Sequence, residues 1–254
     1  MKPQLFRNAL YLLLLCILPV SVTEAKTAER FLYRHISDVI TLDAAQQELD
    51  YRFWFEDWDI GGWDTRVIRN ELTYRRGFSD RLEVGVDAMY SSVCYVGWGS
   101  TSVFNDTDLY AKYQVISEED QPVTFAVGGR LFAPTGKESR GFGVGEWYSG
   151  GFLALSKKID PWRIGASFGR TYIDETGWRS YNNWQVGARS DFGLNLELVG
   201  SEAARPGSDH RLLGVVGVWW PTEGLDAVSQ LGLLIPMDGS DMNLGVIFSI
   251  GVTF

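Results

Sequence analysis

Few side chains in this chain could do bond-making chemistry. Ser208, Asp209 and His210 stand in a row, and a serine with a histidine and an orienting carboxylate is the equipment of a hydrolase. Adjacency in sequence does not place three side chains in that geometry, and no serine motif of a lipid hydrolase surrounds them. The other histidine, His35, stands far away near the start. Thr135-Gly136-Lys137 has the look of a phosphate-binding loop, but Leu131 replaces its first glycine and Glu138 its hydroxyl. Gly141-Phe142-Gly143-Val144-Gly145 lacks the final glycine spacing of a dinucleotide loop. Two histidines and two cysteines, Cys16 and Cys94, do not make a zinc site of the usual kind. No catalytic residue, metal or cofactor is expected, and the chain is not read as an enzyme. What remains is a large set of charged side chains of both signs, and their spacing carries the argument.

The chain has 254 residues, 28 of them glycine and 10 tryptophan, with a formal net charge of −9. That charge excludes nucleic acid as a partner, since phosphate binding needs an excess of Lys and Arg. The mean hydropathy of −0.08 is that of an ordinary soluble protein. Residues 1–25 read as a signal peptide. Lys2 and Arg7 form a basic start, Leu10 to Val20 an apolar stretch too short to span a bilayer, and Thr23 and Ala25 frame a cleavage site. Cleavage removes Lys2, Arg7 and Glu24 and takes the formal charge from −9 to −10. Leu15 before Cys16 argues against a lipoprotein. Residues 26–46 are expected to form a periplasmic N-terminal segment, a short helix or a plug.

From residue 47 onward the hydrophobic period is two, the signature of strands. Glu48, Asp50, Arg52, Trp54 and Glu56 alternate with Leu49, Tyr51, Phe53 and Phe55. The pattern recurs over 67–76, 81–90, 106–115, 123–132, 148–158, 162–172, 180–190, 194–201, 211–220, 225–235 and 242–254. The inward phase is ambiguous in 148–158, 211–220 and 225–235, where both faces are apolar or small. In the last segment Met242, Leu244, Val246, Phe248, Ile250, Val252 and Phe254 share one face. Short turns such as 77–80, 159–161 and 191–193 alternate with longer connections at 91–105, 133–147, 173–179 and 202–210. The expected fold is all-β, an antiparallel up-and-down transmembrane β-barrel of about twelve strands over 47–254, with both ends on the periplasmic side. Tyr74, Phe78, Tyr90, Trp162, Trp219, Trp220 and Phe254 are expected in interfacial aromatic girdles.

The phase then gives a list of lumen-lining candidates. Arg52, Arg69, Glu71, Arg75, Glu83, Asp87, Asp108, Lys112, Arg130, Arg163, Arg189 and Glu197 point inward, as do Glu48, Asp50, Glu56 and Asp106. Such a lining either tunes which solutes pass or fills the lumen with ion pairs. Phe248, Ile250, Val252 and Phe254 form a terminal apolar pattern like the signal that barrels present to their assembly machinery.

Tyr74–Val86 (YRRGFSDRLEVGV) resembles a recurring hairpin of the phenol-degradation meta-pathway (MetA-type) outer-membrane family. Asn105–Tyr113 (NDTDLYAKY) is similar to that family's next strand, Phe132-Ala133-Pro134-Thr135-Gly136 to its strand exit, and Gly145–Lys158 to the strand that follows. The resemblance covers roughly residues 47–254. It implies an outer-membrane barrel that passes small aromatic or hydrophobic molecules, in contact with outer-membrane lipid and the barrel assembly machinery. Two other functions stay open: a structural or surface-interaction barrel with a closed lumen, and a lipid-modifying hydrolase.

Overall fold

The computed structural model describes residues 40–60, 62–140, 142–173, 180–203, 210–222, 226–237 and 242–254. Residues 1–25, expected to be a signal peptide, His35, Ser208 and Asp209 lie outside them, as does the side chain of His210. The strands are β1 (Gln47–Ile60), β2 (Trp63–Ser79), β3 (Leu82–Tyr95), β4 (Gly99–Phe104), β5 (Thr107–Ile116), β6 (Thr124–Ala133), β7 (Tyr148–Ile159), β8 (Trp162–Tyr172), β9 (Tyr181–Ser190), β10 (Leu194–Ala203), β11 (His210–Thr222), β12 (Ala227–Pro236) and β13 (Met242–Thr253). Apart from β4 and β5, consecutive strands pair antiparallel, and β1 closes on β13. β4 and β5 both pair with β3, one above the other, and together make one barrel strand. The result is a closed, twelve-stranded up-and-down barrel. Closure leaves no sheet edge for lipid to meet.

The walls follow the alternation. Leu49, Leu72, Leu109, Leu153, Phe168, Val186, Val216 and Leu244 are exposed on the outside. Glu48, Arg52, Arg75, Lys112 and Glu197 are buried within. An apolar band of this kind around a closed barrel is a lipid-facing surface. Leu153→Arg, at the middle of β7, is expected to destabilise the barrel by about 2–4 kcal/mol, read by urea titration in lipid vesicles, while the same change at an interfacial site costs less.

The structure resolves the ambiguous phases. Phe152 and Ala154 of β7, Leu213, Val215 and Trp219 of β11, and Gln230 and Leu234 of β12 face inward. It also corrects four expectations. Residues 91–105 are not a long loop: β3 runs on to Tyr95, turns and returns as β4, with the Ser92 and Ser102 hydroxyls paired at 2.7 Å. The 57–65 segment, which the alternation leaves as a short outer loop between 48–56 and 67–76, is mostly strand, because β1 and β2 stay in register out to Ile60 and Trp63. Met242 lies inside, since the register shifts between Asp57 and Trp58 and turns it against Trp58. Trp219 does not belong to a girdle: its ring is buried in the lumen, and its Nε1 donates to Ser190 O at 2.9 Å.

Gln47 and Phe254 exchange two backbone hydrogen bonds, so the barrel's start and the chain's end meet at one end. The connections at this terminal end are at most seven residues long, and the longest ones, 134–147 and 173–180, lie at the other, the far end, beside short ones at 61–62 and 96–98.

Candidate functional site

The lumen is built in two halves. In the terminal half the charges are buried and paired. Arg75 is ion-paired with Glu48 and lies 3.5 Å from Asp50. Arg52 Nη2 donates to Asp50 at 3.0 Å. Lys112 Nζ stands 3.3 Å from Glu83, whose same oxygen accepts from Tyr110 Oη at 3.0 Å. Both side chains of the Lys112–Glu83 pair are fully buried. Across the lumen Arg163 donates to Glu118 from a terminal turn (2.7 Å), and Gln185 donates to Glu197 (2.7 Å). The Arg189 guanidinium lies 4.2 Å from the centre of the Trp219 ring. A buried charge is tolerated only when paired in this way.

The chain before β1 adds to this packing. Lys112 Nζ donates to Ile40 O (2.7 Å), Leu42 N to Glu83 Oε2 (2.9 Å), and Thr41 Oγ1 to Asp80 O (3.0 Å). Thr41 and Leu42 are buried. Residues 40–43 therefore form a strap lying in the terminal mouth of the barrel. Gly77 lets it pass, because a Cβ there would strike the carbonyls of Leu42 and Asp43.

The far half is different. Trp54, Trp58, Val67, Val199, Leu213, Val215, Leu234, Met242 and Ile247 make an apolar cluster against β1, β2 and β10–β13. Beside it lies a cavity of about 540 Å³. Its lining mixes aromatic rings with charges, among them Trp54, Phe132, Tyr148, Arg69, Glu71, Asp87, Asp108, Arg130 and Arg211. Phe132 and Tyr148 stack in parallel with ring centres 4.3 Å apart. Arg69 is ion-paired with Glu56, and Arg130 Nε donates to Asp108 at 2.7 Å.

A loop folds over this cavity. β4 and β5 are separated at Asn105 and Asp106, where three residues of one strand face two of β3, a bulge that re-aims the chain. Both Asp106 carboxylate oxygens accept backbone N–H groups, from Gly136 and Val144, at 2.9 Å each. Thr135 Oγ1 accepts from Thr107 N (2.9 Å) and donates to Asn105 O (3.1 Å). Gly136 and Gly143 press against Asp106 and each other without room for a Cβ. The loop so held brings Phe142, Gly143 and Val144 to the cavity wall. Hydrogen bonds to a charged acceptor contribute about 1.5–3 kcal/mol each. Asp106→Ala is therefore expected to free this loop and give a larger, noisier single-channel current with the barrel still folded; an unchanged trace argues against the latch.

The twelve sequence-predicted lining residues do not form one site. Arg69, Glu71, Asp87, Asp108 and Arg130 meet at the far cavity; Arg75, Glu83, Lys112, Arg163, Arg189 and Glu197 lie in the packed terminal half. Arg52 joins the halves, 4.0 Å from Glu71. Reading by phase missed Arg211, which no carboxylate-rich alternation marks, and the aromatic Phe132–Tyr148 pair.

A solved outer membrane channel from Pseudomonas putida F1 superposes on this chain with a TM-score of 0.70, covering 87% of it and 100% of the channel, at 15% identity. The chain has the fold of an outer-membrane channel. Looser likenesses are the β-domain of the Bordetella autotransporter BrkA (TM-score 0.49, 13% identity, 84% and 100% covered) and the monoaromatic hydrocarbon channel CymD (0.46, 10%, 84% and 88%). No family model and no curated protein matches the sequence. Among the described residues no helix is long and apolar enough to cross a membrane.

Proposed function

We propose that this chain is a passive outer-membrane channel for small molecules, a barrel of the MetA-type group that the sequence resembles. The observation that carries this is the far cavity. It is a space of about 540 Å³ inside a closed barrel, lined by rings and by charges of both signs. A barrel built only as a scaffold gains nothing from keeping such a space open, since empty polar volume forfeits packing. The terminal end, with its tight turns and the ends of the chain, faces the periplasm; the loop-bearing end with the cavity faces outward. A solute enters the cavity, is sorted there by size and charge, and passes the strap and the paired terminal half down its concentration gradient. The reading needs no cofactor and no catalytic group. The four terminal outward residues Phe248, Ile250, Val252 and Phe254 serve recognition by the assembly machinery.

Swelling of liposomes that contain the barrel tests this. Small neutral sugars and ring-bearing solutes should enter at rates that fall steeply with size. Rates equal to protein-free liposomes for every solute would contradict it. The buried terminal half favours one other reading, a closed structural barrel, and the same assay separates the two.

A further inference from the structure

The charges around the far cavity are segregated across it. On one wall, formed by β3, β5 and β6, Asp87 and Asp108 share a single guanidinium, that of Arg130, at 3.8 and 2.7 Å. Asp106 lines the same side, so that wall carries three carboxylates to one guanidinium. Asp87 Oδ1 is buried and receives no hydrogen bond. On the opposite wall stands Arg211 of β11, exposed and lying 4.6 Å from the centre of the Trp58 ring. It makes no ion pair with any described residue. In the closed order β11 is six barrel strands from β5, so Arg211 and Asp108 face each other across the barrel while lining one cavity.

We infer that the far cavity is a binding site for a small ring-bearing zwitterion, its cationic group toward Asp87 and its anionic group toward Arg211. The inference rests on the channel reading for its purpose, and it names that channel's solute class. Three other classes fit less well. A hydrocarbon would take water from Asp87 and Arg211 and return no hydrogen bond, which is costly for buried polar groups. A simple anion meets Arg211 but also the negative wall, and a simple cation the reverse. Only a solute with both charges is favoured at both ends, because each of its charged groups then meets a fixed opposite charge on the wall it faces. The flat sides come from Trp54 and from the stacked Phe132 and Tyr148. The cavity volume lies in the range that holds one small molecule.

The test uses three probes of similar size: L-phenylalanine, 3-phenylpropionate and 2-phenylethylamine. Their affinities for the detergent-solubilised barrel are measured by tryptophan fluorescence, and their entry is measured by liposome swelling, with arabinose as a neutral control. L-Phenylalanine should bind about tenfold more tightly than either singly charged probe, the value of one charged hydrogen bond. Arg211→Gln should erase its advantage over the amine, Asp87→Asn its advantage over the acid, and Arg211→Lys should keep the preference. Folding of each variant is checked by its heat-modifiable mobility on a gel. Equal binding of the three probes, or an order that neither variant changes, overturns the inference while arabinose entry leaves the channel reading standing. Zwitterion-selective binding with no entry of any solute does the opposite: the site holds and the channel reading falls.

Discussion

Arg75→Met is expected to cost the barrel about 3–5 kcal/mol of stability, the loss that follows when one member of a buried ion pair is removed. The Arg75 side chain is 1% exposed, as is that of its partner Glu48, and Asp50 lies 3.5 Å from the same guanidinium. Removing the cation takes the Arg75 guanidinium from Glu48 in a space that water does not reach, while Asp50 keeps Arg52 at 3.0 Å, so Glu48 must either stay charged at high cost or take up a proton. The measurement is urea unfolding of the barrel in lipid vesicles. The double variant Glu48→Gln with Arg75→Met should recover part of the loss, because a neutral amide removes the stranded charge. A single variant as stable as the parent would mean that the pair is not a structural element of the lumen. The magnitude is large because four strands bring their charges together here. β1 supplies Glu48 and Asp50, β2 supplies Arg75, β3 supplies Glu83, and β5 supplies Lys112.

A chain that begins at residue 45 is expected to conduct several-fold more current than one that begins at residue 26. Within the 26–44 segment, residues 40–43 lie in the terminal mouth and are bound there by Lys112, Glu83 and Asp80. Its loss takes out the Leu42 side chain and the Thr41 hydroxyl, both buried, and exposes the Lys112–Glu83 pair to water. That pair should then be more easily screened by salt, so the conductance gain should be accompanied by a stronger dependence on ionic strength. Single-channel recording at two salt concentrations reads both effects. Current of the same size from both chains would show that the strap is no obstacle to flow.

The fold was legible because a barrel repeats one rule, and each strand restates it. Arg75 and Glu48 could be placed inside from alternation alone, with no knowledge that they would meet. Their pairing was not legible, since it depends on the register of β1 against β2, which sets Glu48 opposite Arg75. Trp219 and Met242 were misplaced for two different reasons. Both faces of 211–220 are apolar, so period two carries no direction there, and a single register shift turned Met242. The strap was unreadable because four residues show no period. The Asp106 latch was unreadable because a carboxylate that accepts backbone N–H groups leaves its trace in its partners, here Gly136 and Gly143, and those glycines look like any flexible loop. Arg211 was missed because one cation in an apolar strand reads as a surface charge. What the sequence carried poorly was therefore the far cavity, where the polypeptide departs from the repeating rule.

The central claim is that a solute path runs through this barrel despite its packed terminal half. Single-channel recording of the mature chain in a planar bilayer tests it most directly. The structure predicts discrete current steps of small size, enlarged when residues 26–44 are removed. A membrane that stays silent with both chains, although each is folded and inserted, would contradict it.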